Sequence, residues 1–287
     1  MEIQYLCGVM SNRMEQFWNR WRYPLQLIAW GLSIFLVCFL LYHVYMNHNT
    51  PDTKVPMSYE QRDSLMAVAI PTGTSDTLLR YDAFDVHFNS LRHIANSTAY
   101  ELIIDELNGD VTRSDFMPDT HVQGCASPMD YAGSGMDRGH LVPAGDLKWS
   151  ENAMAQSFLM TNICPMTKSL NEGGWAKLEE KVREWVLRDS ALIVFTGPIV
   201  NESDFTITGS QITIPSHYFK IVMAPCVRPV RVIAFIYPNS HCGGSLSRYA
   251  VSVDQVEHLT GLDFFYMLPT VEQQHLETTV NLDAWLN

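Results

Sequence analysis

Apolar and polar positions change their pattern twice along the chain. Residues 25–46 form an apolar run that contains no Asp, Glu, Lys or Arg. Residues 47–77 are rich in Pro, Thr, Ser, Asp and Asn, with a short helical patch near Glu60 to Val68. From Leu78 onward, short apolar stretches alternate with turn residues. This pattern predicts a linker over residues 47–77 and a mixed α+β domain over residues 78–287.

The predicted strands are rich in β-branched and aromatic residues. Short links between several of them favour antiparallel pairing, so the sequence predicts a mixed, mainly antiparallel sheet. The predicted strands are Tyr81–Phe88, Ala99–Asp105, Ala191–Thr196, Gln211–Ile214, Tyr218–Ala224 and Val230–Tyr237.

One helix is well marked, over residues 171–187. Its apolar positions recur at helical spacing: Trp175, Leu178, Val182, Trp185 and Val186. Asn171 and Glu179 border this stripe, about 80° apart around the helix axis. We therefore expect both side chains to point into a site between the helix and the sheet.

The apolar run has the length of a membrane anchor, because about 20 helical residues cross a bilayer core of about 30 Å. Arg13, Arg20 and Arg22 precede it, and the next Lys or Arg is Lys54. The positive-inside rule then predicts a cytoplasmic segment (1–23), an anchor (24–46) and an extracytoplasmic remainder. A buried helix and a cleaved signal peptide are the alternatives, although no small-residue cleavage site follows the run.

Composition limits the classes of function. Hydrophobic residues make up 47% of the chain, enough for a packed core, and the formal net charge is −12. A strongly acidic chain does not suit tight nucleic-acid binding, which favours a basic surface. The absence of a CxxC pair argues against a zinc ribbon. Four cysteines follow the anchor: Cys125, Cys164, Cys226 and Cys242. Cys226 and Cys242 are candidates for a disulfide, but four cysteines allow three connectivities. The alternative is that all four are reduced thiols.

The sharpest chemical motif is the tetrapeptide from Asp137 to His140 (DRGH). A histidine can accept a proton near neutral pH. Arg138 can pair with a phosphate through two parallel hydrogen bonds, and Gly139 allows a ligand to approach the backbone closely. On its own the tetrapeptide is equally compatible with a structural Asp–Arg pair.

Three further segments occur around this motif, and all four stand in the order typical of a known family. The chain reads Arg113-Ser114-Asp115 before the DRGH motif, and Asn162-Ile163-Cys164-Pro165 and Leu170-Asn171-Glu172-Gly173-Gly174-Trp175 with Leu178-Glu179 after it. From about Leu78 to Leu268 the chain thus resembles the DNA/RNA non-specific endonuclease family. The resemblance implies a ββα-metal (His-Me finger) fold, Mg²⁺ or Mn²⁺ as cofactor, and DNA and RNA as substrates. It also implies homodimerisation and an extracytoplasmic location such as a bacterial periplasm.

The resemblance also implies a role for each matching residue. His140 is the general base, and Asn171 is the single direct protein ligand of the metal. Glu179 orients water near the metal, and Asn162 supports the active site. Arg138 and Arg113 contact phosphate.

Four of these residues have a structural alternative. His140 also fits a core histidine. Asn171 is equally suited to cap its helix. Glu179 fits a solvated helix position, and Arg113 fits a surface ion pair.

Three positions depart from the family pattern. Met136 stands where Tyr is usual, Met166 where Gln is common, and Glu172 where Gln is common. The first two put substrate contacts in doubt, and the third adds negative charge beside the predicted metal site. The second reading of the sequence is therefore a catalytically weak or inactive nuclease-fold protein that acts as a membrane-tethered binding or scaffold component.

Overall fold

The computed structural model describes Trp30, residues 32–40 and residues 57–286. The chain divides into two units, Met1–Asp52 and Thr53–Asn287. In the first unit, Trp30 and residues 32–40 are helical (α1). The predicted segment 1–23 and the rest of the predicted anchor (24–46) lie outside the described residues. No helix in the described part of the chain has both the length and the apolar character needed to cross a bilayer.

The second unit is built on one antiparallel sheet of seven strands. In spatial order these are β10 (Ala250–Val251), β9 (Arg231–Pro238), β8 (His217–Ala224), β7 (Ala191–Ile199), β4 (Ile94–Ile103), β3 (Phe84–Asn89) and β2 (Thr77–Arg80). Two small antiparallel pairs lie outside this sheet: β1 (Val68–Ala69) with β11 (Asp263–Phe264), and β5 (Asp137–His140) with β6 (Ile163–Met166). The predicted α+β class and antiparallel sheet are confirmed.

Helices complete the second unit: α2 (Tyr59–Met66), α3 (Glu151–Ser157), α4 (Ala176–Asp189), α5 (Val253–Thr260), α6 (Thr270–Thr278) and α7 (Leu282–Leu286). The helix predicted over residues 171–187 is two segments. Residues Leu170–Trp175 form a wide turn in which Gly173 has non-helical backbone angles (φ −110°, ψ −106°), and α4 follows. The predicted apolar stripe packs as expected, since Leu178, Val182 and Trp185 are buried.

Both faces of the sheet are covered, which explains the apolar character of its central strands. In β7, Leu192 and Val194 join one core, and Ile193 and Phe195 join the other, because successive side chains point to opposite faces. The first face is covered by the β5–β6 hairpin and α4. The second face is covered by α5, α6 and the β1–β11 pair.

Four sequence predictions differ from the structure. The strand predicted over Ala99–Asp105 is β4 (Ile94–Ile103), which both begins and ends earlier. The strand predicted over Tyr81–Phe88 begins only at Phe84, because a turn closed by the bond from the Tyr81 N–H to the Phe84 carbonyl separates β2 from β3. Residues Gln211–Ile214 contribute only an isolated bridge, Thr206–Thr213. The folded unit also begins before residue 78, since α2 and β1 lie within the predicted linker. Val68 is buried there and pairs with Phe264, a long-range contact that local composition does not reveal.

Candidate active site

The β5–β6 hairpin displays the DRGH motif on a short strand. Arg138 and His140 point to one face of β5, and Asp137 and Gly139 point to the other. Gly139 is required because a Cβ there would lie 2.5 Å from Cγ of Met166. Met166 is fully buried, so it cannot easily move aside. Met166 therefore packs inside the hairpin and does not face a substrate.

Asn162 holds both ends of the segment that connects β5 to β6. Its Oδ1 accepts a hydrogen bond from the Val142 N–H (2.9 Å), and its Nδ2 donates to the carbonyls of Val142 (3.0 Å) and Ser157 (2.9 Å). The side chain is fully buried. Asn162 thus acts on the site by holding the backbone that follows His140, and its amide has no group left for a ligand.

His140 lies among aromatic rings and beside two arginines. Its ring is 4.7 Å from the Phe158 ring and 5.4 Å from the Phe116 ring, between centroids. Cζ of Arg113 lies 5.4 Å from the Phe158 centroid, and Cζ of Arg138 lies 4.4 Å from the Phe116 centroid. Both guanidinium groups are therefore held near the imidazole through stacking on the two Phe rings.

This environment keeps the imidazole neutral. Burial, and secondarily the charge of Arg113, lower the pKa of His140 to about 3. Nε2 is sealed from solvent and has no hydrogen-bond partner among residues 57–286. The residue is partly exposed, and Nδ1 is not among the sealed atoms. A neutral imidazole can accept a proton, as a general base must.

Asn171 lies in the wide turn before α4 and reaches back to the hairpin. Its Nδ2 donates a hydrogen bond to Oδ2 of Asp137 (3.1 Å). Since an ionised carboxylate only accepts hydrogen bonds, this contact fixes the orientation of the amide. Oδ1 of Asn171 makes no hydrogen bond within the described ranges. The side chain bonds to Asp137 instead of to the helix backbone, so Asn171 is not a helix cap.

Glu179, predicted to orient water near the metal, is partly buried on α4 and faces other charged groups. Burial raises its pKa, and the positive charge of Lys220 opposes the rise. Lys220 is fully buried, with Nζ 2.7 Å from Oγ1 of Thr196 and 4.8 Å from the Trp175 ring. Arg113 also acts on Glu179 electrostatically, as it does on His140. Glu179 is therefore part of a buried charge network, unlike a solvated helix residue.

A buried aspartate completes this network. Asp146 is fully buried and accepts hydrogen bonds from Nη1 of Arg183 (2.8 Å) and from the Tyr100 hydroxyl (2.7 Å). Asp146 and Arg183 also act on Glu179 electrostatically. Sequence reasoning did not identify Asp146, Arg183 or Lys220. The one signal available was Lys220 itself, a charged residue inside an otherwise apolar strand.

The charged residues Arg113, Arg138 and Glu172, also singled out from the sequence, differ in whether they form ion pairs. Arg113 is exposed, and no acidic group in the part of the chain that the structure describes lies within ion-pair distance of it. Arg138 is also exposed. Glu172 forms an ion pair with Lys168, so its extra charge is largely compensated.

The four cysteines after α1 that sequence reasoning considered for disulfides are free thiols.

A divalent cation fits the oxygen atoms at this site. Mg²⁺ prefers oxygen ligands and commonly takes few of them from the protein. Oδ1 of Asn171 is unpartnered among residues 57–286, and the hydrogen bond from Nδ2 to Asp137 orients it. Such support of a ligand by a neighbouring carboxylate is typical of metal sites.

We predict that the charge of Arg113 contributes to the low pKa of His140. Arg113→Ala removes a positive charge that disfavours the imidazolium, so the pKa of His140 rises. Arg113→Lys keeps the charge and leaves the pKa close to that of the wild-type protein. An NMR titration of the His140 ring measures both variants. An equal pKa in wild type and Arg113→Ala would show that burial alone sets the value.

Comparisons with known proteins bear on the family of this chain. The sequence profile of the DNA/RNA non-specific endonuclease family matches residues 61–271. The mitochondrial nuclease EXOG of Mus musculus is 31% identical over 206 residues, which cover 65% of this chain and 56% of that protein. A nuclease of Nostoc sp. is 30% identical over 231 residues, which cover 74% of this chain and 84% of that protein.

A solved structure shares the fold. The EndoG/EndoGI complex contains a chain that aligns with 68% of this chain and 87% of its own length, with a TM-score of 0.64 and 21% sequence identity. This chain spans little more than half the length of the mouse EXOG relative. Because the family profile nevertheless covers most of the chain, from residue 61 to residue 271, the protein belongs to the DNA/RNA non-specific endonuclease family.

Proposed function

We propose that this protein is a divalent-metal-dependent nuclease that hydrolyses phosphodiester bonds of both DNA and RNA. One arrangement carries the proposal: a neutral, accessible imidazole and an oriented amide oxygen are held by the same short hairpin strand. His140 belongs to that strand, and Asn171 is fixed to it through Asp137. The names of the relatives, which are nucleases, support the same activity.

The proposed reaction begins with binding of a phosphate between exposed guanidinium groups. Arg138 and Arg113 lie on the Phe116 and Phe158 rings beside His140, where they can donate hydrogen bonds to phosphate oxygens. They provide local positive charge on a chain whose formal net charge is −12. Substrate binding should therefore be weak and sensitive to salt.

Proton transfer falls to His140. Nδ1 accepts a proton from a water molecule, whose oxygen attacks phosphorus in line with the leaving 3′ oxygen. The P–O3′ bond breaks, and solvent water protonates the leaving oxygen, which gives a 5′-phosphate. A bound Mg²⁺ or Mn²⁺ supplies positive charge that stabilises the phosphate and the leaving oxygen. Asn171 would hold the cation, and Glu179 would orient water in its coordination shell.

Membrane attachment is a separate part of the proposal. We propose that residues 24–46 anchor the chain with the nuclease domain on the extracytoplasmic side, a location where a nuclease would degrade nucleic acid outside the cytoplasm. The charge asymmetry around the apolar run supports this orientation. Homodimerisation stays a prediction.

Nicking of supercoiled plasmid and of structured RNA tests the catalytic proposal. With Mg²⁺ present, His140→Ala should lower turnover by about 10²–10⁴-fold, the usual contribution of a general base. His121→Ala is the matched control, because His121 is exposed and outside the site. Circular dichroism confirms that each variant is folded. Wild-type turnover in a folded His140→Ala protein, or no cleavage by the wild type with any divalent metal, would refute the proposal.

The Asp137–Asn171 contact gives a second prediction. Asp137→Ala frees the amide and should weaken the apparent Mg²⁺ affinity by about 10–100-fold. Asp137→Asn keeps a hydrogen-bond acceptor and should restore most of the affinity. The measurement is nicking rate against Mg²⁺ concentration, with the exposed Asp110→Ala variant as control. If Asp137→Asn is as impaired as Asp137→Ala, the carboxylate acts through its charge and not by orienting Asn171.

Fractionation of expressing cells tests the anchor. The full chain should sediment with membranes, and deletion of residues 24–46 should release it. Protease added to the outside of spheroplasts should remove the nuclease domain. Recovery of the full chain in the soluble fraction would contradict membrane attachment.

A further inference from the structure

A second group of acidic side chains lies on the face of the sheet opposite His140. Asp254 and Glu257 are three residues apart on α5, so they share one side of that helix. Glu277 reaches them from α6. One carboxylate oxygen from each of the three lies within 4.8 Å of the other two.

The inner member of this group has an unsatisfied oxygen. The Glu277 side chain is only 5% exposed, and its Oε1 is buried with no hydrogen-bond partner in the described residues. Oε1 of Glu257 does accept a bond, from the Phe264 N–H (2.7 Å). A buried carboxylate oxygen without a partner is costly for the fold, so it points to a ligand at this position.

Charge leads to the same conclusion. The charged groups that act on Glu277 are Glu257, Asp254 and Asp263, and all of them are acids. Among the described residues, none of the three carboxylates forms an ion pair with a cation, in contrast to Glu179, on which the positive charge of Lys220 acts.

We propose that Asp254, Glu257 and Glu277 bind a calcium ion that ties α5 to α6. Calcium takes oxygen ligands at about 2.4 Å, so ligand atoms on opposite sides of the ion lie up to about 4.8 Å apart. The three carboxylate oxygens lie within this span of one another. Mg²⁺ requires a smaller and more regular shell. Exposed Asp254 leaves space on the outer side for water molecules to complete the coordination.

The expected effect is on stability. Val256 of α5 and Leu276 of α6 belong to the core on this face of the sheet, so an ion between the helices would hold that layer together. Binding to the folded state alone raises the unfolding temperature as the ion concentration rises.

Thermal unfolding of the full chain in mild detergent, with chelator and then with CaCl₂, tests the proposal. At about a hundredfold excess over the dissociation constant, calcium should raise the midpoint by about 5 °C or more. Glu277→Gln should abolish the shift. Glu272→Gln, an exposed position on the same helix, should retain it. Asn171→Ala should also retain it, which separates this site from the catalytic one.

The proposal is overturned if calcium does not stabilise the wild type or stabilises Glu277→Gln equally. It is also overturned if the shift disappears in Asn171→Ala. Should Glu277→Gln fail to fold, Asp254→Asn at the exposed edge replaces it. That variant should bind calcium at least tenfold more weakly in a titration, and unchanged affinity would refute the site.

Discussion

The hydrogen bond from Asn171 to Asp137 is the contact on which the site depends. It joins the wide turn before α4 to a four-residue strand, and it determines which atom of the amide is left for a ligand. The rest of the hairpin supports this contact. Gly139 lets β5 lie close to Met166, and Asn162 holds both ends of the segment that connects β5 to β6 with three hydrogen bonds. The site is therefore precise because two short, irregular segments are fixed to a rigid sheet.

Electrostatics separates the roles of the two central titratable groups. His140 is surrounded by aromatic rings with a positive charge nearby, and both effects favour its neutral form. Glu179 is also partly buried, but Lys220 beneath it favours the charged carboxylate and so opposes the effect of burial. Burial pushes both groups toward neutrality, and the neighbouring positive charge adds to this effect at His140 and opposes it at Glu179.

The sequence predicted the parts of this structure that local pattern controls. The apolar strands β7, β8 and β9 and the stripe on α4 follow directly from periodicity, and the ordered motifs predict roles for His140 and Asn171. Contacts between distant segments were out of reach. The pairing of Val68 with Phe264 extends the folded unit into a region whose composition suggests a linker. Likewise, Met166 is a hairpin core residue, and Asp146 and Lys220 meet Glu179 only through the folded sheet.

A crystal structure of the protein soaked with Mn²⁺, phased on the anomalous signal of the metal, tests the central claim most directly. The account predicts one Mn²⁺ about 2 Å from Oδ1 of Asn171, with Nδ2 still bonded to Asp137 and with the His140 ring free of the metal. A metal coordinated by the His140 imidazole, or no metal at Asn171, would contradict it.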